Sequence, residues 1–185
     1  MWTGVHGASM RPADLTPVAR DVMKLPASVA LVFFSLAGAY LLSVLPWSGA
    51  GLLARPDFVL IVLIFWTVHE PRSIGQGMAF ALGLLMDVSD SMLLGQHSLA
   101  YVMAVFGAQV LRVRILSFHL PEQTLHVLGL TILACAVMLA LNLLLGADFP
   151  GFAFLVSPVL TALCWAPVNW LLYSTALRRR REGSG

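Results

Sequence analysis

The sequence has very few charged residues for its length. Of its 185 residues, 11% are charged and 59% are hydrophobic, whereas soluble domains contain about 25% charged residues. The hydrophobic residues form continuous runs such as LVFFSLAGAYLLSVL and LGLTILACAVMLALNLLLG. They do not alternate with polar residues, as the strands of a membrane β-barrel do. This composition excludes a water-soluble domain and predicts an all-α polytopic membrane protein.

Cysteine and the motifs of common enzymes are also scarce. The two cysteines, Cys135 and Cys164, lie inside apolar runs, where small buried side chains are more common than disulfides or metal ligands. The sequence contains no H-E-x-x-H zinc motif, no G-x-S-x-G nucleophile motif and no phosphate-binding glycine loop. His69 and Glu70 are adjacent but lack a second histidine at helical spacing. These absences predict a protein that is not an enzyme and holds no metal or cofactor.

Six apolar blocks can cross or nearly cross a bilayer, which requires about 20 residues per helix. The second and third blocks are short and could instead form a re-entrant hairpin. That hairpin would place His69, Glu70 and Arg72 near the middle of the membrane, at a cost of about 2.5 to 3.5 kcal/mol per charge, so two short spanning helices are favoured. The predicted compact six-helix bundle occupies residues 26–177, between tails 1–25 and 178–185. Its blocks are 26–47, 55–68, 74–88, 93–111, 125–146 and 152–176.

The distribution of lysine and arginine predicts the orientation, because these residues accumulate in short cytoplasmic loops. Six helices with both termini in the cytoplasm leave Arg55 alone on the other side. Asp87, Asp90 and Asp148 then lie outside, in loops with almost no cations. The cytoplasmic cations are Arg11, Arg20, Lys24, Arg72, Arg112, Arg114 and Arg178 to Arg181.

The third block contains a pattern for close helix packing. Gly75, Ala79 and Gly83 recur every four residues, and small residues at this spacing let two helix backbones approach closely. Asp87 follows at the outer end of the same face. Two interpretations of Asp87 stay open: an acid that caps the following DVSDS turn, or an anchor for a neighbouring helix or a partner.

Two further polar residues follow on the next helix. His97 and Tyr101 are four residues apart and therefore share one helix face. Asp87 and His97 could form a clamp across a short outer turn, or they could be separate polar residues in a solvated loop. Neither alternative implies catalysis.

Proline and arginine residues mark the second half of the chain. Pro158 and Pro167 are expected to bend or open the sixth helix, and the amides Asn142 and Asn169 to bond neighbouring helices. The loop RVRILSFHLPEQ is amphipathic and could lie on the membrane or contact a filament, and a solvated, lipid-facing loop is favoured. The predicted contacts with anionic lipids or the cytoplasm, at about 1 kcal/mol per residue, involve Arg112, Arg114, Arg178, Arg179, Arg180 and Arg181.

Three segments resemble one known family. They are RPDFVLIVLIFW at residues 55–66, GQGMAFALGLLMDV at 75–88 and LGQHSLAY at 94–101. Together with the overall hydropathy, they resemble the rod shape-determining membrane protein MreD family. The middle third of the chain carries the specific part of this resemblance.

The resemblance implies a noncatalytic component of the bacterial elongasome in the inner membrane. It implies direct binding to MreC, and association with MreB, RodA and a class B penicillin-binding protein, with no nucleic-acid partner. The partner-binding or helix-packing residues would be Gly75, Ala79, Gly83, Asp87, His97 and Tyr101. The family is also similar in fold to the substrate-binding S components of energy-coupling-factor transporters, so a vitamin-binding carrier is the alternative function.

Overall fold

The computed structural model describes residues 29–46, 55–71, 74–91, 93–149 and 151–182, with side chains up to residue 175, and in these ranges the chain is helical and contains no strand. The predicted all-helical fold is confirmed. A 3₁₀ turn at Phe152–Leu155 precedes the sixth helix. The α-helices are α1 (Val29–Val44), α2 (Phe58–His69), α3 (Gln76–Ser89), α4 (Gln96–Ser117), α5 (Leu120–Leu144), α6 (Val156–Leu163) and α7 (Trp165–Glu182).

Within the described ranges, three segments are long and apolar enough to cross a membrane. They are α4, α5 and the combined segment Phe152–Thr175, whereas α1, α2 and α3 are shorter apolar helices. At 1.5 Å per residue, α2 is about 18 Å long and α5 about 37 Å, compared with about 30 Å for the hydrocarbon core of a bilayer. The chain is therefore a helical membrane protein, and the count of six spans stays a prediction.

Helix α2 forms the centre of the protein. Every residue from Val59 to Val68 is buried, as expected for a helix that is apolar on all sides and surrounded by other helices. It packs against α1, α4, α6 and α7. Trp66 donates a hydrogen bond from Nε1 to Oγ of Ser35 at 2.8 Å, which joins α2 to α1.

The remaining helices form a chain of neighbours around this centre. Helix α4 packs against α3 and α5 as well as α2, and α5 packs against α6. The α3–α4 contact is close at Gly83, where a methyl group built on Cα would lie 2.5 Å from the backbone nitrogen of Ser98. Only glycine fits this position without separating the two helices.

The sixth apolar block is interrupted, as its prolines predicted. Helix α6 ends at Leu163, Cys164 forms a turn, and α7 begins at Trp165. Pro167 has no N–H to donate to Leu163, and its ring would crowd that carbonyl in a continuous helix. At the other proline, the hydroxyl of Thr131 in α5 donates to the carbonyl of Pro158 at 3.1 Å.

The connection between α4 and α5 is shorter than predicted. Helix α4 extends to Ser117 and α5 begins at Leu120, so most of the expected loop at 112–123 is helical. His119 and Glu122 form a capping box at the start of α5, in which the His119 N–H donates to Glu122 Oε2 at 2.9 Å. Because of this cap, α5 begins closer to α4 than the polar composition of the segment suggested.

The predicted tails lie at the two ends of the chain. Helix α7 continues to Glu182, so the arginine run is helical, and the basic cytoplasmic tail at 178–185 stays a prediction. The N-terminal tail at 1–25 and the predicted cytoplasmic residues Arg11, Arg20, Lys24 and Arg72 lie outside the described residues.

Candidate functional site

The carboxylate of Asp87 is fully buried at the end of α3. It accepts hydrogen bonds of 2.8 Å from the backbone N–H of Gly95, from the backbone N–H of His97 and from His97 Nδ1. Gly95 has φ of 99°, a left-handed conformation that glycine adopts without strain and that turns the chain into α4. Asp87 and His97 could have been separate polar residues in a loop or in contact across a turn. The structure shows that they are in contact.

Tyr101 extends this contact to the start of α2. Its ring lies edge-on to that of His97, with centroids 5.8 Å apart. Its hydroxyl donates to both carboxylate oxygens of Asp57, each at 2.8 Å. Asp57 is the N-cap of α2 and accepts from the backbone N–H of Leu60 at 2.9 Å, so one acid both caps the central helix and binds α4.

Arg55 forms the ionic part of the site. Its two terminal nitrogens face the two carboxylate oxygens of Asp90, with Nη1 3.0 Å from Oδ1, a bidentate pairing. Nη1 also donates to the carbonyl of Ser43 in α1 at 3.1 Å. The hydrogen bonds to Asp90 raise the pKa of the Arg55 guanidinium, so this side chain stays charged.

Two hydroxyls of α6 complete the connections. Ser157 donates from Oγ to the carbonyl of Arg55 at 2.7 Å, and Thr161 Oγ1 accepts from the backbone N–H of Asp57 at 2.8 Å. Side chains from α3, α4 and α6 therefore meet the segment before α2. We call this set the polar cluster: Arg55, Asp57, Asp87, Asp90, His97, Tyr101, Ser157 and Thr161.

The polar cluster is arranged to hold helices together. Its carboxylate oxygens already accept from backbone and side-chain donors, which leaves little capacity for a substrate. In the part of the chain that the structure describes, the carbonyl oxygen of Gln96 is the buried side-chain acceptor without a partner, and no group of three or more histidine, cysteine or acidic side chains could hold a metal ion.

The predicted packing face of α3 is shorter than its sequence pattern. Ala79 and Gly83 are buried, but Gly75 is the exposed N-cap of α3, with no atom within 4 Å of a built methyl group. Gly75 therefore lies outside the α3–α4 contact.

The predicted surface arginines differ from one another. Arg112 donates from Nε to the carbonyl of Val68 at 2.7 Å and so satisfies the last turn of α2, whereas Arg114 is exposed. Arg178, Arg179, Arg180 and Arg181 belong to α7, and their side chains lie outside the described residues. Lipid contact by these arginines stays a prediction.

Sequence reasoning missed Arg55 and Asp57 as site residues. A usable signal was present, because an aspartate directly before an apolar run is a typical N-cap. Ser157 and Thr161 offered no comparable signal, since hydroxyl residues are frequent in membrane helices and nothing local distinguishes these two.

An apolar groove lies beside the polar cluster, between α1 and α3. Its volume is about 560 Å³, and Tyr40, whose hydroxyl lies 2.6 Å from Oγ of Ser89, bridges one end. The groove is lined by Val29, Val32, Phe33, Leu36, Ala37 and Tyr40 of α1 and by Met78, Leu82 and Leu85 of α3.

Comparison with known proteins identifies the family. The family model described as rod shape-determining protein MreD matches residues 23–174, which include the polar cluster and the groove. The chain belongs to the MreD family. The Haemophilus influenzae protein named rod shape-determining protein MreD is 32% identical over 69 residues, which are 37% of this MreD-family chain and 41% of that relative. The match thus spans about two fifths of the relative's length. No solved structure matches the chain.

Proposed function

We propose that this chain is a noncatalytic scaffold of the bacterial elongasome in the inner membrane. It binds MreC directly and, within a complex containing MreB, RodA and a class B penicillin-binding protein, helps to couple the cytoskeleton to peptidoglycan synthesis and so maintains rod shape. The observation that carries this proposal is the match of residues 23–174 to the MreD family.

The polar cluster supports a scaffold rather than an enzyme. Its groups form hydrogen bonds across four segments, the stretch before α2, the end of α3, α4 and α6, and such a network fixes the relative positions of helices.

The groove between α1 and α3 supports a place for the membrane helix of MreC. It is lined almost entirely by apolar side chains, and α1 and α3 make few direct contacts across it. Helices associate in lipid through van der Waals packing, and the small side chain of Ala37 in the groove allows close approach. A partner helix there would pack along α1 and α3 beside the polar cluster.

The alternative function, a vitamin-binding carrier, has weaker support. A carrier needs several polar groups that converge on its ligand and are not already bonded. In the polar cluster these groups are bonded to one another, and the groove offers one hydroxyl, that of Tyr40, which already pairs with Ser89.

The proposal is tested by filling the groove. Ala37→Trp adds a large side chain where the partner helix would lie, and Ala136→Trp makes the same change on the exposed face of α5. Each variant is expressed at native level, purified from its own membranes in mild detergent, and analysed by mass spectrometry of the proteins that accompany it. We expect Ala37→Trp to lose MreC at least about tenfold while Ala136→Trp retains it.

Two outcomes would contradict the proposal. Retention of MreC by Ala37→Trp at the level of the control would exclude the groove as its site. Recovery of ATPase subunits and a bound vitamin, without MreC, RodA or the penicillin-binding protein, would support the carrier instead.

A further inference from the structure

Another cavity lies at the opposite end of α2, about 18 Å along that helix from the polar cluster. It has a volume of about 310 Å³, at the lower limit of the roughly 300 to 1,000 Å³ typical of small-molecule sites. It is formed where the end of α2, the start of α5 and the first turns of α7 meet. Its lining residues are His69, Leu120, Gln123, Asn169, Trp170 and Tyr173.

The amides of this cavity retain unused hydrogen-bonding capacity. Gln123 accepts from Trp165 Nε1 at 3.2 Å and donates to the carbonyl of Phe118 at 3.0 Å, which leaves one N–H of its amide. Among the described residues the Asn169 side chain has no hydrogen bond, although it lies half-buried in an apolar helix. An amide in such a position usually has a partner.

His69 provides an acceptor next to these donors. Its ring stacks on Phe65 with centroids 4.2 Å apart, and its Nδ1 donates to the Phe65 carbonyl at 2.9 Å. In the neutral ring Nε2 is then an acceptor. The cavity thus presents amide donors for a phosphate oxygen and an acceptor for a hydroxyl group.

The surroundings of the cavity indicate a ligand that arrives from the bilayer. Trp170 lines the cavity but is 73% exposed, and the adjacent Leu171 is 54% exposed. Tryptophan at a membrane helix end is typical of the headgroup level. Of the charged residues near the cavity, Arg112 contacts the last turn of α2, Glu70 is the C-cap of α2, and Arg178 follows five residues after Tyr173 in the sequence of α7. Glu122, the acid at the start of α5, is bonded to the His119 N–H.

We propose that this cavity binds the headgroup of an anionic phospholipid of the phosphatidylglycerol class. Asn169 and Gln123 donate to the phosphate, His69 Nε2 accepts from a glycerol hydroxyl, and Trp170 packs against the first part of an acyl chain. This assignment does not depend on the scaffold function, because no groove or polar-cluster residue takes part.

Lipid titration of the full chain in detergent, followed by native mass spectrometry, tests the proposal. Dioleoyl phosphatidylglycerol is compared with dioleoyl phosphatidylcholine, which lacks the hydroxyls and the net charge. We expect one phosphatidylglycerol to bind at least about tenfold more tightly than phosphatidylcholine, and Asn169→Leu to weaken it about tenfold, equivalent to about 1.4 kcal/mol. Trp170→Ala, at an exposed position that tolerates truncation, should weaken both lipids.

Asn142→Leu is the matched control, because Asn142 is also a half-buried amide in an apolar helix but does not line this cavity. Attraction to the arginine run is the same in all these variants, so the comparison isolates the cavity. Equal affinity for the two lipids would overturn the proposal, as would unchanged phosphatidylglycerol binding in both Asn169→Leu and Trp170→Ala. Equally tight binding of glycerol phosphate would assign the cavity to a soluble phosphate instead.

Discussion

The two ends of α2 differ in how they contact the other helices. At its N-terminal end, Asp57 and Arg55 are bonded to side chains or carbonyls of α1, α3, α4 and α6. At its C-terminal end, Arg112 binds one carbonyl, and beside His69 a cavity contains the amide of Asn169, which has no hydrogen bond to the part of the chain that the structure describes. The same short helix therefore has one end that holds the bundle together and another that is open to a ligand. Stability should depend mainly on the first end.

The largest effect is expected for Asp87→Ala. The substitution leaves the N–H groups of Gly95 and His97 and the imidazole of His97 without their acceptor in a buried site. Loss of a buried, hydrogen-bonded acid costs about 3 to 5 kcal/mol. The free energy of unfolding in detergent should fall by that amount, and rod-shape rescue at native expression should fail.

Asp148→Ala is the matched control, since Asp148 is exposed in the segment after α5. Equal unfolding free energies for the two variants, or undiminished rod-shape rescue by Asp87→Ala, would show that the hydrogen bonds of Asp87 do not hold the bundle together.

A smaller effect is expected for Gly83→Ala. The added methyl group would lie 2.5 Å from the Ser98 nitrogen and 2.8 Å from the carbonyl carbon of His97, so α3 and α4 must separate. Overpacking of this kind costs about 1 to 3 kcal/mol. Thermal unfolding should begin at a lower temperature, and cysteine cross-linking between α3 and α4 should be slower.

Gly77→Ala tests whether the Gly83 effect comes from the contact. Gly77 lies in the same helix with nothing within 4 Å of a built methyl group, so alanine should be neutral or stabilise by up to about 1 kcal/mol. A similar loss in both variants would mean that the close contact at Gly83 is not the cause, because helix propensity favours alanine at both positions.

The smallest effect is expected at the other end, for Arg112→Gln. This substitution removes the hydrogen bond from Nε to the Val68 carbonyl, for which about 1 kcal/mol is typical. The exposed Arg114 supplies the control, and Arg114→Gln should change the unfolding free energy by less than about 0.5 kcal/mol. If Arg112→Gln destabilised the protein as much as Asp87→Ala, both ends of α2 would hold the bundle equally.

Helices and their breaks were largely predictable from the sequence. Each apolar block corresponds to a helix, and the prolines of the last block correctly indicated the interruption at Cys164. The α4–α5 boundary was misplaced because Arg112 and Arg114 were treated as loop residues. Membrane helices readily continue past arginine at their ends, since the long side chain reaches a carbonyl or the headgroup region.

The site was only partly predictable, for a physical reason. Asp87, His97 and Tyr101 could be related because they are close along the chain and at helical spacing. The contact of Tyr101 with Asp57 spans 44 residues and that of Ser157 with Arg55 spans 102. Such contacts depend on which faces of the helices meet. A continuous apolar run such as α2 has the same composition whether it faces lipid or protein, so its central position could not be inferred.

The short length and complete burial of α2 have a consequence for how the protein is made. A segment of about 18 Å is a weak candidate for stable insertion on its own, and α2 leaves the ribosome before α4, α6 and α7, the helices that later surround it. The hydroxyls that bond the Arg55 carbonyl and the Asp57 N–H are synthesised about 100 residues later. Assembly of the centre must therefore wait for the end of translation, and a chain truncated before α6 should be a target for membrane proteases.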